Sequence, residues 1–83
     1  MLRGLMMDQP LMVSSILSHA ARFHGDIEIV SRTVEGPIHR YTYRDAEVRA
    51  KRFARALTRL GVQQSDRVGT LAWNGYRHFE IYY

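Results

Sequence analysis

Eighty-three residues bound this chain to one small domain with a modest core. Apolar residues make up 46% and charged residues 24%, a balance that suits a folded chain better than a disordered one. Cysteine is absent, which excludes a disulfide framework and thiolate metal sites, and the formal charge of +4 is too moderate to name an anionic partner by itself.

The N-terminal run Met1-Leu-Arg-Gly-Leu-Met-Met7 is apolar but short. Asp8, Gln9 and Pro10 interrupt it and Ser14 and Ser15 follow, so an export signal is rejected. No apolar run approaches the roughly 20 residues of a membrane helix. With cysteine absent, a cytoplasmic setting is the expectation.

Pro10 followed by Leu11–His24 predicts a first helix, with proline tolerated in its first turn. At helical spacing Val13, Ile16, Leu17, Ala20 and Phe23 share one face, and Ser14, Ser15, Ser18 and Arg22 lie opposite. Gly25 stands where a left-handed terminating residue is wanted. Ile27–Val34 and Ile38–Thr42 are β-prone runs around Glu35-Gly36-Pro37, which predicts a hairpin. Alternation in the first run is imperfect and leaves its inward face open.

Thr42-Tyr43-Arg44-Asp45 has the form of a capping box, with aspartate in the usual glutamate place. The helix it opens runs to about Leu60 and ends at Gly61. Ala46, Ala50, Phe53, Leu57 and Leu60 share a face, and Asp45 with Arg49 and Glu47 with Lys51 form favourable i,i+4 pairs. After the turn Gln63-Gln-Ser-Asp66, Arg67–Ala72 reads as a strand, its Gly69 suggesting close approach by a neighbour. The end is ambiguous from pattern alone. Asn74-Gly75 between apolar runs slightly favours a hairpin, whereas Asn74 as a cap gives a helix with Tyr76, Phe79 and Tyr83 at helical spacing.

This order of elements resembles the beginning of the adenylate-forming acyl-CoA synthetases. The residues that carry it are Thr42-Tyr43 opening a helix, Ala56-Leu57 and Leu60-Gly61-Val62 closing it, then Asp66-Arg67-Val68 and Asn74. Within that superfamily, Glu28–Arg32, His39-Arg40 and Leu71–Tyr83 look most like the fatty-acyl-CoA ligase branch for medium- and long-chain acids, which includes methylthiopropionate-type ligases. The resemblance covers nearly everything after Pro10. It implies a mixed α+β fold: the incomplete helix–hairpin–helix–strand–helix start of the large N-terminal domain. It also implies a helix at Tyr76–Tyr83, overriding the hairpin. One departure is Ser65, where the family usually has glycine before Asp-Arg-Val; an altered turn is expected there.

A family member activates a carboxylate with ATP and magnesium to an acyl-adenylate, and coenzyme A then takes the acyl group. The resemblance implies that the supporting motifs (a Ser/Thr/Gly-rich phosphate loop, an aromatic-Gly-x-Thr-Glu segment, a ribose-binding aspartate, a late lysine) lie outside these 83 residues. The six glycines are scattered singly and form no phosphate cradle. The chain is therefore expected to be residues 1–83 of a truncated AMP-binding domain, inactive alone, whose partner is the remainder of its parent. The resemblance further implies that the N-terminal segment and first helix can pack between two subunits, as in some relatives.

No catalytic, cofactor-binding or metal-ligating residue is assigned. His19 and His24 are five apart and expected on opposite sides of their helix, and His39 and His78 lie on other elements. Asp8, Asp26, Asp45 and Asp66 fall at helix starts or turns, where capping suffices. No nucleophile elbow surrounds any serine. Tyr41, Tyr43, Trp73, Tyr76, Phe79, Tyr82 and Tyr83 read as core packing ahead of an acyl pocket. Arg44, Lys51, Arg52, Arg55 and Arg59 form a basic face, which reads first as solvated and second as a surface of an interaction module for nucleic acid or anionic membrane. Without interleaved aromatics that face lacks a stacking platform, so nucleic acid is not the expected partner.

Overall fold

A computed structural model describes residues 4, 5 and 7–83. Part of the N-terminal apolar run, residues 1–3 and 6, lies outside them. The element order is α1 (Val13–Phe23), β1 (Glu28–Arg32), β2 (Ile38–Thr42), α2 (Tyr43–Arg59) and α3 (Tyr76–Ile81). The predicted α+β class stands, matching the start of an AMP-binding domain fold. One element of the predicted order is missing, as described below.

α1 starts later than its sequence pattern suggests. Pro10 lies ahead of it, accepting a hydrogen bond from the Met12 N–H at 3.1 Å, and Met12 is an N-cap that offers no side-chain bond. The buried positions are Leu17 and Ala21, one turn apart, while Val13, Ile16 and Phe23 stay exposed. The packed edge is therefore rotated from the predicted stripe. α2 meets the helix along only one side of it, because Ser14, Leu17 and Ser18 line a cavity with Glu47, Ala50, Lys51 and Ala54.

Gly25 does not adopt the left-handed conformation expected of it. His24 closes α1 instead, its N–H donating to the Ala20 carbonyl at 2.8 Å. Gly25 is buried for a different reason: α2 begins directly over it. Its carbonyl accepts the Arg44 N–H at 3.3 Å and the Ile27 carbonyl accepts that of Tyr43 at 3.2 Å, satisfying two donors that a helix start leaves orphaned.

β1 and β2 pair antiparallel in the register Ile29↔Tyr41 and Ser31↔His39, and these four residues form the inward face. Gly36, at φ +114°, makes the turn. α2 carries the predicted capping box complete: the Asp45 N–H donates to Thr42 Oγ1, and the Thr42 N–H donates to Asp45 Oδ2, both at 3.2 Å. These two Thr42 contacts hold the Asp45 carboxyl below the usual carboxylate range. Its far end is a Schellman closure, with Gly61 N–H to Thr58 O and Val62 N–H to Leu57 O, and Gly61 at φ +91°.

Three further expectations need correction. Residues 67–72 form no strand, since the only sheet among the described residues is the β1–β2 pair and neither strand takes a third partner. Gly69 has open space where a Cβ would stand, so nothing approaches it. Ser65, expected to alter its turn, keeps a glycine-like conformation at φ +73°, braced by the Gln63 N–H to Asp66 Oδ2 bond at 2.8 Å. An L-residue there is strained. Ser65→Gly is expected to raise stability by about 0.5–1 kcal/mol, the relief of strain less the extra freedom of the unfolded chain. Urea denaturation with an unchanged slope would show it.

α3 settles the ambiguous C-terminal pattern as a helix. Gly75 is the N-cap, not Asn74, and no side chain caps it. Helical geometry ends at Ile81, short of the predicted Tyr83, whose ring still packs. The core is Leu17, Tyr41 and Ala46, with Ile29, Tyr43, Ala50, Tyr76, Phe79 and Tyr83 against it. Phe53 and Leu60, read as members of the buried face of α2, are exposed.

Candidate functional site

The best-organised polar group lies where α3 meets α2 and the hairpin. Glu80 is a carboxylate carried into an apolar junction and only 7% exposed. Arg49 of α2 answers it, its Nε donating to Glu80 Oε1 at 2.5 Å. That hydrogen bond raises the Arg49 guanidinium further above its ordinary value. Arg49 also lies over the Tyr76 ring at 5.7 Å, and Arg77 lies over the same ring at 5.0 Å. Tyr76 stacks on His39 with centroids 3.6 Å apart and planes within 9°, and meets Tyr41 edge-on at 5.7 Å. A second ion pair, Arg77 Nη1 to Glu35 Oε1 at 3.0 Å, ties α3 to the hairpin turn. Glu35's own backbone N–H and the Arg77 guanidinium together hold its carboxyl below the usual range.

Chemically this group orients and does not react. Its cations are arginines, which keep their protons, and its one buried carboxylate is engaged. Three buried polar atoms, Ser31 Oγ, His39 Nδ1 and Tyr41 Oη, have no protein partner among the described residues. Burial first, and the Glu80 carboxylate second, push the Tyr41 phenol well above its ordinary value. The sign follows directly. An unfolded tyrosine loses its proton near pH 10 while the folded one keeps it, so stability is intact below about pH 10 and falls as pH rises beyond it. Alkaline unfolding followed by far-ultraviolet circular dichroism is expected to move to higher pH in Tyr41→Phe. An unmoved midpoint would contradict this.

The other groups singled out in the sequence are scattered. His19 and His24, expected to diverge, have ring centroids 6.0 Å apart, because the chain leaves the helical path at His24. No acid joins them: among the described residues no three His, Asp or Glu side chains converge as metal ligands. His78 contacts Thr70, its Nε2 lying 3.3 Å from the hydroxyl, far in sequence from His39. Asp26 binds Arg44 at 2.7 Å and Asp45 caps α2. The expected Asp45–Arg49 pair does not form, since each partner is committed elsewhere, whereas Lys51–Glu47 does at 3.5 Å.

The basic face is accordingly smaller than its sequence pattern. Arg44 and Lys51 are paired, which leaves Arg52, Arg55 and Arg59 along α2. Of the aromatics, Tyr41, Tyr43, Tyr76, Phe79 and Tyr83 do pack in or on the core, but Trp73 is 77% exposed and Tyr82 60%. Sequence reasoning missed both α3 ion pairs. Their partners are 31 and 42 residues apart, a separation that no local pattern reveals.

The model of the family described as AMP-binding enzyme matches residues 17–83. The chain belongs to that family. It is similar to a 3-methylmercaptopropionyl-CoA ligase of Ruegeria lacuscaerulensis, with 52% identity over 80 residues. It is also similar to a medium-chain-fatty-acid–CoA ligase of Ectopseudomonas oleovorans, at 44% over 80 residues. A long-chain-fatty-acid–CoA ligase of Thermus thermophilus is 44% identical over 78 residues. These matches take in 96%, 96% and 94% of this chain but only 15%, 15% and 14% of the relatives. It is thus a member of the adenylate-forming CoA-ligase family that spans about one-seventh of its relatives' length.

That family uses ATP and coenzyme A. The left-handed glycines, Gly36 and Gly61, each serve a single turn. Asp45 caps α2, and Asp26, Glu80 and Glu35 each accept from an arginine. Among the described residues no helix is long and apolar enough to cross a membrane.

Proposed function

We propose that these residues are the N-terminal framework of the AMP-binding domain of a fatty-acid–CoA ligase. Its parent activates a medium- or long-chain fatty acid, or a short thioether acid such as 3-methylmercaptopropionate, with ATP and magnesium to an acyl-adenylate. It then transfers the acyl group to coenzyme A. The carrying observation is identity of 44–52% along nearly the whole chain to three CoA ligases of which it spans about 15%. In this reading the chain is inactive alone and works in the cytoplasm.

Surface area supports the same reading independently. The chain exposes 7593 Å². A self-contained protein of its mass exposes about 5,100 Å². The excess, about 2,500 Å², is of the order that an obligate interface buries. Much of it is apolar: Val13, Ile16 and Phe23 on α1, Val30 and Ile38 on the outer hairpin face, and Val68, Leu71 and Trp73 beyond α2. A scaffold docked against the remainder of a larger domain has this character.

ATP–pyrophosphate exchange tests the proposal. The complete parent protein is expected to exchange in the presence of fatty acids, with a maximum across a series of chain lengths, and the 83-residue chain is expected to show none. A complete parent that binds no ATP and activates no carboxylate would sink it. The interaction-module alternative rests on three unpaired-looking arginines, each of which also suits a solvated face, and is not preferred.

A further inference from the structure

The Asn74 side chain, which the sequence offers as a helix cap, is left without that task because Gly75 takes the N-cap position of α3. Asn74 is exposed, and among the described residues neither its side-chain amide nor the Gly75 N–H enters a hydrogen bond. The main chain leading to it is equally unheld. No backbone N–H or C=O of residues 67–74 enters a backbone hydrogen bond among the described residues. Gly75 lies at φ −140° with open space where a Cβ would stand, so no neighbour crowds this peptide link on its glycine side.

We propose that Asn74 is a site of spontaneous covalent modification, in which the Gly75 main-chain nitrogen attacks the Asn74 side-chain carbonyl carbon. A C–N bond forms and closes a cyclic imide, and ammonia leaves with the proton that the Gly75 nitrogen gives up. Water, the sole co-reactant, then opens the ring at either carbonyl. One opening yields aspartate, with the main chain as it was. The other yields isoaspartate, in which the main chain runs through the former side-chain carbonyl and is one carbon longer. Glycine favours the attack because it has no side chain to obstruct its nitrogen. The position gives the longer product its effect. α3 begins with Tyr76, whose ring stacks on His39 at 3.6 Å, and continues with Arg77 paired to Glu35 at 3.0 Å and Glu80 paired to Arg49. An added main-chain carbon directly ahead of Gly75 shifts the entry of α3 against the hairpin, and these contacts cannot all be kept. The reaction is internal to one chain and needs no second copy. It stands apart from the ligase reading, which its test does not touch.

The test incubates the 83-residue chain for days at about 37 °C and about pH 7.5, folded and in parallel in urea. Asn74 is the one asparagine of the chain, and cleavage after Arg67 and Arg77 releases it in residues 68–77. Mass spectrometry reads the conversion as an amide turned to an acid. Two products are expected, one of them accepting a methyl group from an isoaspartyl methyltransferase. The folded chain is expected to convert within about fivefold of the rate in urea, because the fold withholds nothing from the reacting atoms. Gly75→Ala, whose Cβ meets nothing, keeps the fold and is expected to slow conversion at least about tenfold. Amide exchange in α3 is expected to quicken in the isoaspartyl form and to stay unchanged in Asn74→Asp. A folded chain that lags the urea sample by more than about fivefold overturns the proposal. So does a Gly75→Ala variant that converts as fast as the wild-type chain, or an isoaspartyl form whose α3 exchanges like that of Asn74→Asp.

Discussion

Arg49→Ala is expected to cost the chain about 3 kcal/mol, a large share of the ~4–12 kcal/mol available to a domain of this length. Removing Arg49 strands the buried Glu80 carboxylate beside Tyr41, whose hydroxyl already lacks a partner. The reverse change should be milder. Arg49 is 47% exposed, so in Glu80→Gln its guanidinium turns to water, and a loss of about 1 kcal/mol is expected. The asymmetry is the diagnostic, because a simple sum of contacts would make the two changes equal. Replacing both together, as Arg49→Met with Glu80→Leu, should recover most of the loss by trading a desolvated pair for packing. Urea denaturation of the four proteins measures this. Equal losses in the two single variants would show that Glu80 is hydrated, against its placement here. Faster amide exchange in α3 than in α2 of Arg49→Ala would locate the damage at their junction.

Gly25→Ala is the second large effect, at about 2–3 kcal/mol. A Cβ there would stand 2.5 Å from the Ala21 carbonyl oxygen and 2.6 Å from Arg44 Nη2. The arginine can swing aside at the expense of its Asp26 bond, but the carbonyl belongs to the last turn of α1 and cannot move alone. Relief requires shifting α1 against α2, which disturbs Leu17 and Ala46 in the core. Gly69→Ala is the control. Its added methyl meets nothing, so it should leave stability within about 0.5 kcal/mol or raise it slightly. Thermal midpoints of the two variants compared side by side distinguish steric conflict from a general dislike of losing glycine.

Several elements were readable from local pattern because the interactions that define them are local. The capping box of Thr42 and Asp45, the closure at Gly61 and the Gly36-Pro37 turn each join residues no more than five apart, and all three form as read. Resemblance to a family decided the final helix, where pattern leaned to a hairpin. No functional site was legible. The best-organised polar group among the described residues joins α2 to α3 across 31 residues, beyond the reach of local pattern.

The amino-acid sequence alone thus determined the two longer helices, the hairpin with its turn, and membership of a CoA-ligase family. Those follow from short-range periodicity, from caps and from the order of motifs. Only the tertiary structure decided that Arg49 serves Glu80 instead of Asp45, that Ser31 and His39 face inward, and that Gly25 is needed for closeness and not for handedness. It also decided that 67–72 stays unpaired. A strand exists through its neighbour, and no β-propensity can supply the hydrogen-bonding edge that this fold leaves out.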